Sequence, residues 1–421
     1  MTDLISTGAD PLDAAPEGPT ARRIGDGAQA IAVAESLAPA FAAGAGDRDA
    51  VRVHPHDEVA ALSASGLLAI TVPAEFGGAD VEPAALARVV AVLAAADPSL
   101  AQIPQSHFTF LEALRRGGSD ALAGAVYPRI LDGARIANAQ TERSGRTAAD
   151  DGTTLRDTDD GLLLSGVKYY CTGALHADIL AVRAVSGRGT GSAPHKVIAY
   201  VPADAPGITI ADDWDGFGQR TTGSGTVSFD RVAVRPDHVV DFTALLADPG
   251  TYGARAQLIH AAIDTGIARG ALAAAAIAAT GARPWFEADV TEAVDDPYLI
   301  AQAGDLELAV RSAESLLLTA ADAIQAADAD PDGTGDRRRA LVAEASLATA
   351  AAKVAAGRAA RRAGAELFDF GGTRSASERA NLSRFWRDAR THTLHDPERW
   401  KVHHLGRWAL QGRYPPTHTA L

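Results

Sequence analysis

The sequence predicts an α+β protein in three parts: an N-terminal helical domain, a central antiparallel β domain and a C-terminal four-helix bundle. Three observations carry this prediction. Over 25–132 apolar residues recur at steps of three and four, as at Leu86, Val89, Leu93 and Ala96. Over 133–243 the pattern shortens to β-type runs at 162–164, 167–171, 197–201, 207–210 and 226–229, bounded by turn pairs such as Asp160-Gly161 and Pro206-Gly207. Over 244–401 the helical period returns in longer stretches, with Leu306, Val310, Ala313, Leu317, Ala320 and Ile324 on one stripe.

The elements follow in order. Residues 1–24 are rich in Pro, Gly, Thr and Asp without periodicity and read as a loose tail. The N-terminal helical stretch is punctuated at Pro73-Ala74-Glu75-Phe76-Gly77-Gly78. In the last part an acidic connection, 328–336, joins the Leu306 helix to a second helix over about 338–368, whose alanines permit close packing. Residues 402–421 read as a C-terminal tail, and no internal repeat is present.

Composition narrows the function classes. With 47% hydrophobic and 22% charged residues in 421, the chain has the make-up of a globular protein. A net charge of −14 argues against non-specific binding to nucleic acid or to anionic membranes, which needs a basic excess. The single Cys171 permits no internal disulfide and no cysteine-built metal site. No basic flank precedes an apolar core at the N-terminus, and no uninterrupted apolar run approaches the ~18 residues of a membrane span. The expected location is the cytoplasm.

The residues that carry chemistry are scattered, and each has a plain structural alternative. There is no Gly-x-Gly-x-x-Gly after a strand, no phosphate-binding Walker loop and no His-Glu-x-x-His, so nicotinamide, nucleoside-triphosphate and zincin readings fall away. His392-x-x-His395-Asp396 has the look of metal ligands, yet no second cluster completes a shell, so no metal is expected. Asp396-Pro397-Glu398 equally reads as a helix N-cap followed by Pro at the first helical position. Gly371-Gly372-Thr373-Arg374-Ser375 follows a helix and is either a phosphate cradle or an ordinary C-cap and loop. Arg283 beside Pro284-Trp285 is a phosphate clamp or a surface helix end. Asn138, Thr172 and Trp214 are site residues or, respectively, sheet, turn and packing residues.

The layout and several motifs resemble the acyl-CoA dehydrogenase superfamily. Ala139-Gln140-Thr141-Glu142 resembles its Thr-Glu flavin loop. Lys168-Tyr169-Tyr170-Cys171-Thr172-Gly173 resembles its strand ending in a flavin-contacting hydroxyl residue, and Arg387-Asp388-Ala389-Arg390 its C-terminal block. Ile103-Pro104-Gln105-Ser106-His107-Phe108, Asp212-Asp213-Trp214, Ala282-Arg283-Pro284-Trp285 and Arg390-Thr391-His392-Thr393-Leu394-His395-Asp396-Pro397 are similar to one branch. That branch holds the reduced-flavin monooxygenases of dibenzothiophene degradation and, most similar, the sulfur-acquisition oxidoreductases.

The resemblance implies an FMNH2-dependent monooxygenase that oxygenates a small organosulfur compound through a flavin C4a-hydroperoxide. It implies FMN rather than FAD, because Leu367-Phe368-Asp369-Phe370 departs from the Gln-x-Phe that dehydrogenases place before the Gly pair. By the same resemblance Asn138, Thr141, Thr172 and Trp214 meet the flavin, and Gly371, Gly372, Thr373 and Ser375 line its phosphate end. Arg283 pairs with the phosphate from a neighbouring subunit of a homotetramer or dimer. His107, His392 and His395 are the candidate proton donors, with Asp396 beside them. A separate flavin reductase supplies the electrons, since no dinucleotide fingerprint is present. Two alternatives stay open: an acyl-CoA dehydrogenase or oxidase with Asp396 as base, and a non-catalytic flavin-binding protein. Tyr169, Tyr170, Phe108, Phe110 and Trp214 are expected to form an apolar substrate pocket.

Overall fold

The computed structural model describes residue 12 and residues 21–420, apart from 148–149, 160, 188–194, 248–249 and 331–334. Most of the predicted 1–24 tail, Asp160 of the predicted turn and the middle of the 328–336 connection lie outside the described residues.

Six helices open the chain: α1 (Gly27–Val51), α2 (His56–Ala64), α3 (Pro83–Ala96), α4 (Pro98–Gln102), α5 (Gln105–Gly117) and α6 (Asp120–Leu131). Local chemistry sets their ends. Asp26 caps α1 by accepting from the Gln29 N–H, Asp97 caps α4 from Ser99 and Leu100, and Ser119 caps α6 from Leu122. The predicted stripe of α3 is buried throughout, with Leu86, Val89, Leu93 and Ala96 all under 9% exposed.

The middle of the chain forms one sheet: β1 (Ile136–Ala139), β2 (Thr154–Thr158), β3 (Gly161–Cys171), β4 (Ile179–Ser186), β5 (His195–Pro202), β6 (Ile208–Ile210), β7 (Gly225–Val234) and β8 (Val239–Asp241). Strand order is β6-β7-β3-β2-β4-β5-β8, with β1 paired to β4. The sheet is not purely antiparallel as predicted, because β1 and β2 both run parallel to β4, along successive halves of it. The two predicted runs 162–164 and 167–171 are one strand, β3, broken by register shifts against β7. At the second shift Tyr170 takes a φ of +57°, a left-handed conformation that turns its side chain out of the sheet.

A short helix α7 (Phe242–Ala247) leads into the bundle of α8 (Tyr252–Thr280), α9 (Pro297–Asp328) and α10 (Asp336–Gly371), with α11 (Ser383–His392) and α12 (Glu398–Gln411) packed on α10. The chain predicted as a tail from 402 is therefore helical to Gln411. The predicted α9 stripe from Leu306 to Ile324 is fully buried. Glycines let α8 touch α3 directly: a Cβ at Gly266 would overlap the Ala91 carbonyl. α1, α8 and α10 contain stretches long and apolar enough to cross a membrane by length and composition; those of α8 and α10 are mostly buried in the bundle. The main core runs through α1, α3, α8, α9 and α10, a second joins α5 and α6 to the sheet, and a third lies on the sheet itself.

Candidate functional site

The end of β3 is held in place by charge. Lys168, fully buried, donates to Glu142 Oε1 at 2.6 Å, to Asp151 Oδ1 at 3.3 Å and to the Gln140 carbonyl at 3.2 Å. Desolvation opposes the Glu142 charge, but Lys168 and the N–H groups of Thr153 and Gly152 outweigh it and hold the carboxyl at about 2. Two motifs far apart in sequence, 139–142 and 168–173, are thus tied by one buried ion pair. The Thr141 carbonyl accepts from the Tyr169 N–H at 2.8 Å, while its side chain is exposed.

Beyond Lys168 a row of hydroxyls begins. Thr172 Oγ1 lies 2.8 Å from Ser224 Oγ, Ser224 Oγ lies 2.7 Å from Thr222 Oγ1, and Thr222 donates to the Gln219 carbonyl at 3.0 Å. Asn138 stands on β1 next to Ala137, whose Cβ is against Gly173, and its side-chain Oδ1 is buried with no donor. The Ile103 carbonyl closes the other side of Gly173. β1, through Ala137, and the Thr172-Gly173 turn therefore meet at the sheet end, beside the 103–108 motif.

The third motif locks the loop over this end. Asp388 on α11 accepts from the Gln219 N–H at 2.6 Å, and burial raises its carboxyl to about 7. Arg387 donates to the Phe217 carbonyl at 2.8 Å and pairs with Asp49 of α1. A Cβ at Gly218 would overlap the Arg387 carbonyl, so glycine is what allows the loop to seat. Trp214 donates from Nε1 to the Gln219 carbonyl at 2.9 Å and stands edge-on to Tyr170 at 6.1 Å. The Arg143 guanidinium lies 4.4 Å from the Tyr169 ring centre and 5.1 Å from that of Tyr170. Phe108 and Phe110 do not join these aromatics: Phe108 is buried in the bundle core and Phe110 between α5 and the sheet.

One turn beyond Asp388, His392 enters the interior from α11. Its Nδ1 is 2.6 Å from Asp264 Oδ1 and its Nε2 is 3.0 Å from His260 Nδ1, both on α8. The His395 ring lies tilted against His260 with ring centres 4.0 Å apart and is itself half exposed. Burial first, then His395 and Lys353, push His260 well below its ordinary value, so it is neutral at rest. Among the described residues no three His, Cys, Asp or Glu side chains are arranged to hold a metal ion.

Two predicted roles are corrected here. Asp396 is neither a free base nor a helix N-cap: α12 begins without a side-chain cap, and both Asp396 oxygens are taken by lysines, Oδ1 by Lys353 and Oδ2 by Lys401. Against its own desolvation, Lys353, His395 and Lys401 hold the carboxyl well below the ordinary range. Lys353 also donates to Gln257 at 2.5 Å, and Lys401 to the Ala420 carbonyl at 3.0 Å. His107 is 1% exposed and meets only a cavity of about 10 Å³ beside Gly173 and His176. Its Nδ1 accepts from the Ile136 N–H at 3.0 Å and its Nε2 donates to the Leu68 carbonyl at 2.8 Å, so both nitrogens are spent on backbone. Burial lowers its pKa to about 4.

The 371–375 loop lies elsewhere. Gly371 and Ser375 line a cavity of about 600 Å³ with Arg269, Arg374 and Arg384, against Ile277, Ala278 and Gly281 at the end of α8. Ser375 Oγ and an Arg384 Nη are buried there without partners, which fits an anion with acceptor oxygens. Gly372 and Thr373 are exposed, as is Arg283, which makes no hydrogen bond or ion pair among the described residues. At 1.5 Å per residue, Ala278 is roughly 20–27 Å along α8 from Asp264 and His260. One protomer therefore links Thr172 and Trp214 through the Thr222–Gln219 loop and sets His392 one helical turn beyond Asp388, which holds that loop, but keeps the 371–375 loop apart.

Ser224, Thr222, Gln219, His260, Asp264, Lys353, Lys401 and Arg384 were not singled out from sequence. Two of them left a signal: His260 and Asp264, four residues apart, are titratable positions on one face of an Ala-rich helix.

A helical domain, a β domain and a bundle, with motifs from all three meeting at one sheet end, define an acyl-CoA dehydrogenase-type architecture. The acyl-CoA dehydrogenase N-terminal, middle and C-terminal domains match residues 22–134, 137–232 and 258–397. The chain belongs to the acyl-CoA dehydrogenase family. It is 32% identical to a dibenzothiophene monooxygenase of Rhodococcus qingshengii over 91% of this chain and 94% of that protein. It is 32% identical to a probable FMNH2-dependent monooxygenase, SfnC, of Pseudomonas putida over 92% of this chain and 96% of that protein. Its fold superposes on FMN-bound TdsC of Paenibacillus sp. A11-2 with a TM-score of 0.86 at 31% identity, covering 93% of this chain and all of that one.

Proposed function

We propose that this protein is an FMNH2-dependent monooxygenase that places one oxygen atom of O2 on the sulfur of a small organosulfur compound, in sulfur acquisition. The observation that carries this choice over dehydrogenation is Asp396. In the dehydrogenases a carboxylate near this position removes a carbon-bound proton, whereas here the carboxylate is pinned between two lysines. The similarity to FMNH2-dependent and sulfur-heterocycle monooxygenases supports the same reading.

Reduced FMN, when bound, supplies the electrons that activate O2. The chain's own residues fit it at two ends. Asn138 Oδ1, which lacks a donor, and the Thr172–Ser224 hydroxyls suit the edge of a flavin ring. Arg374, Arg384 and Ser375 suit a phosphate. The distance of the arginine-lined cavity from His260 and Asp264, roughly 20–27 Å along α8, supports a site shared between copies, in a homotetramer or dimer. Exposed Ile277, Trp285, Phe286, Tyr298 and Ile300 around the α8–α9 corner offer apolar surface for that contact. His392 and His395 supply proton donors near the ring end, and Cys171, buried with its thiol raised to about 12, takes no part.

The test is turnover. Purified protein with FMN, NADH, O2 and a panel of organosulfur compounds gives no product, and adding a separate FMN reductase yields a product heavier by one oxygen atom. Product from NADH without the reductase, or bleaching of bound flavin by an acyl-CoA, overturns the proposal.

A further inference from the structure

We propose that Asp264 and His260 on α8 are positioning residues that form, with His392, a buried proton relay behind His395. The relay rests on the oxygenase reading above only for what it serves; its geometry stands alone.

The three side chains are at most 2% exposed and form one line: Asp264 Oδ1 to His392 Nδ1 at 2.6 Å, then His392 Nε2 to His260 Nδ1 at 3.0 Å. A carboxylate only accepts, so the proton of His392 sits on Nδ1. In the neutral ring Nε2 is then a lone pair, and the contact with His260 requires the His260 proton on Nδ1. His260 Nε2 is left as a lone pair with no hydrogen-bond partner among the described residues. A proton arriving there lets His260 pass its Nδ1 proton to His392 Nε2. The positive charge then rests on His392, against the Asp264 carboxylate, and no bond other than N–H is made or broken. Asp264 Oδ2 is buried without a donor, so its charge is not spent on another group.

The surrounding charges favour this resting place. The His395 ring lies tilted against His260, and Lys353 opposes an imidazolium at His260. Asp396, facing from the 393–397 turn, is neutralised by Lys353 and Lys401. Arg361 and Glu398 line the same crevice as Asp264 and are paired with each other. Among the described residues the one unneutralised carboxylate facing the imidazoles is Asp264. An oxygenation that ends in water must hold and return a proton near the reacting edge, and this row does so out of contact with solvent.

The test uses the full chain with 15N-labelled histidine, free of flavin, and single turnovers with chemically reduced FMN. In the wild type His392 is a single Nδ1–H tautomer; in Asp264→Asn the fixed tautomer is lost. The same variant loses roughly 10- to 100-fold in product per reduced flavin, less than losing a direct proton donor, with its pH profile displaced, and Asp264→Glu recovers part of both. Should Asp264→Asn fail to fold, His260→Asn gives the same displaced profile with FMN binding retained. A wild-type tautomer with the proton on Nε2, or variants with an unmoved pH profile, overturns the relay. If the wild type makes no product from reduced FMN, the oxygenase reading falls and the tautomer measurement decides the relay by itself.

Discussion

Replacing Asp396 by Asn tests whether this carboxylate is structural or catalytic. In the native protein it neutralises Lys353 and Lys401, whose side chains are 7% and 4% exposed. Burial, followed by Lys353, already lowers Lys401 to about 8, with Asp396 opposing. Without the carboxylate two ammonium groups face each other out of water, and breaking a buried pair in this way costs about 3–5 kcal/mol. The protein has a cheaper escape: Lys401, already at about 8, can give up its proton for about 1.4 kcal/mol at pH 7. The loss is therefore about 1.4 kcal/mol if Lys401 deprotonates and about 3–5 kcal/mol if both lysines stay charged. It also has a sign in pH. A lysine neutral in the folded state and charged in the unfolded one makes the unfolded chain bind more protons, so stability rises with pH until the unfolded lysine titrates near 10.4. Urea unfolding of wild type and Asp396→Asn at pH 7 and pH 9 measures both effects. The variant should be less stable at pH 7 and regain part of the difference by pH 9. Equal midpoints and slopes at pH 7 would show that the lysines do not depend on Asp396, and would restore it as a candidate base.

Two other outcomes are expected. His107, lowered to about 4 by burial, binds its proton far more weakly in the folded state than in the unfolded one near 6.5. Its contribution is complete above pH 6.5 and is lost as pH falls towards 4, by at most about 3 kcal/mol; His107→Gln should flatten acid denaturation over that window, and an unchanged curve would remove His107 from the core role. Arg384→Ala should weaken FMN binding by about 1.5–3 kcal/mol, the worth of one charged hydrogen bond, measured by flavin fluorescence titration; an unchanged dissociation constant would detach the arginine-lined cavity from the phosphate.

Periodicity made the layers legible because burial of a helix stripe depends only on residues three and four apart. Leu306 to Ile324 and Leu86 to Ala96 announced their buried faces for that reason. β4 was missed because a strand covered on both faces loses the alternation that marks a strand. The family was legible in contiguous motifs, including the 390–397 stretch that holds His392 and His395.

What residue order could not supply was which partner each polar group would meet. Asp396 beside Pro397 has the local signature of a cap, and only the approach of α10 and the fold-back of α12 turned it into the counter-ion of two lysines. His107 sits in a site-like motif, yet the packing of α5 against β1 spends both its nitrogens on backbone. Asp264, 128 residues from His392, became its hydrogen-bond partner through the meeting of two helices. Local pattern thus determines which face of an element is buried, since that is a property of neighbours in sequence. Ion pairing and proton placement are decided by tertiary contact, because Coulomb energy and hydrogen-bond geometry depend on distance in space and on the water that packing removes.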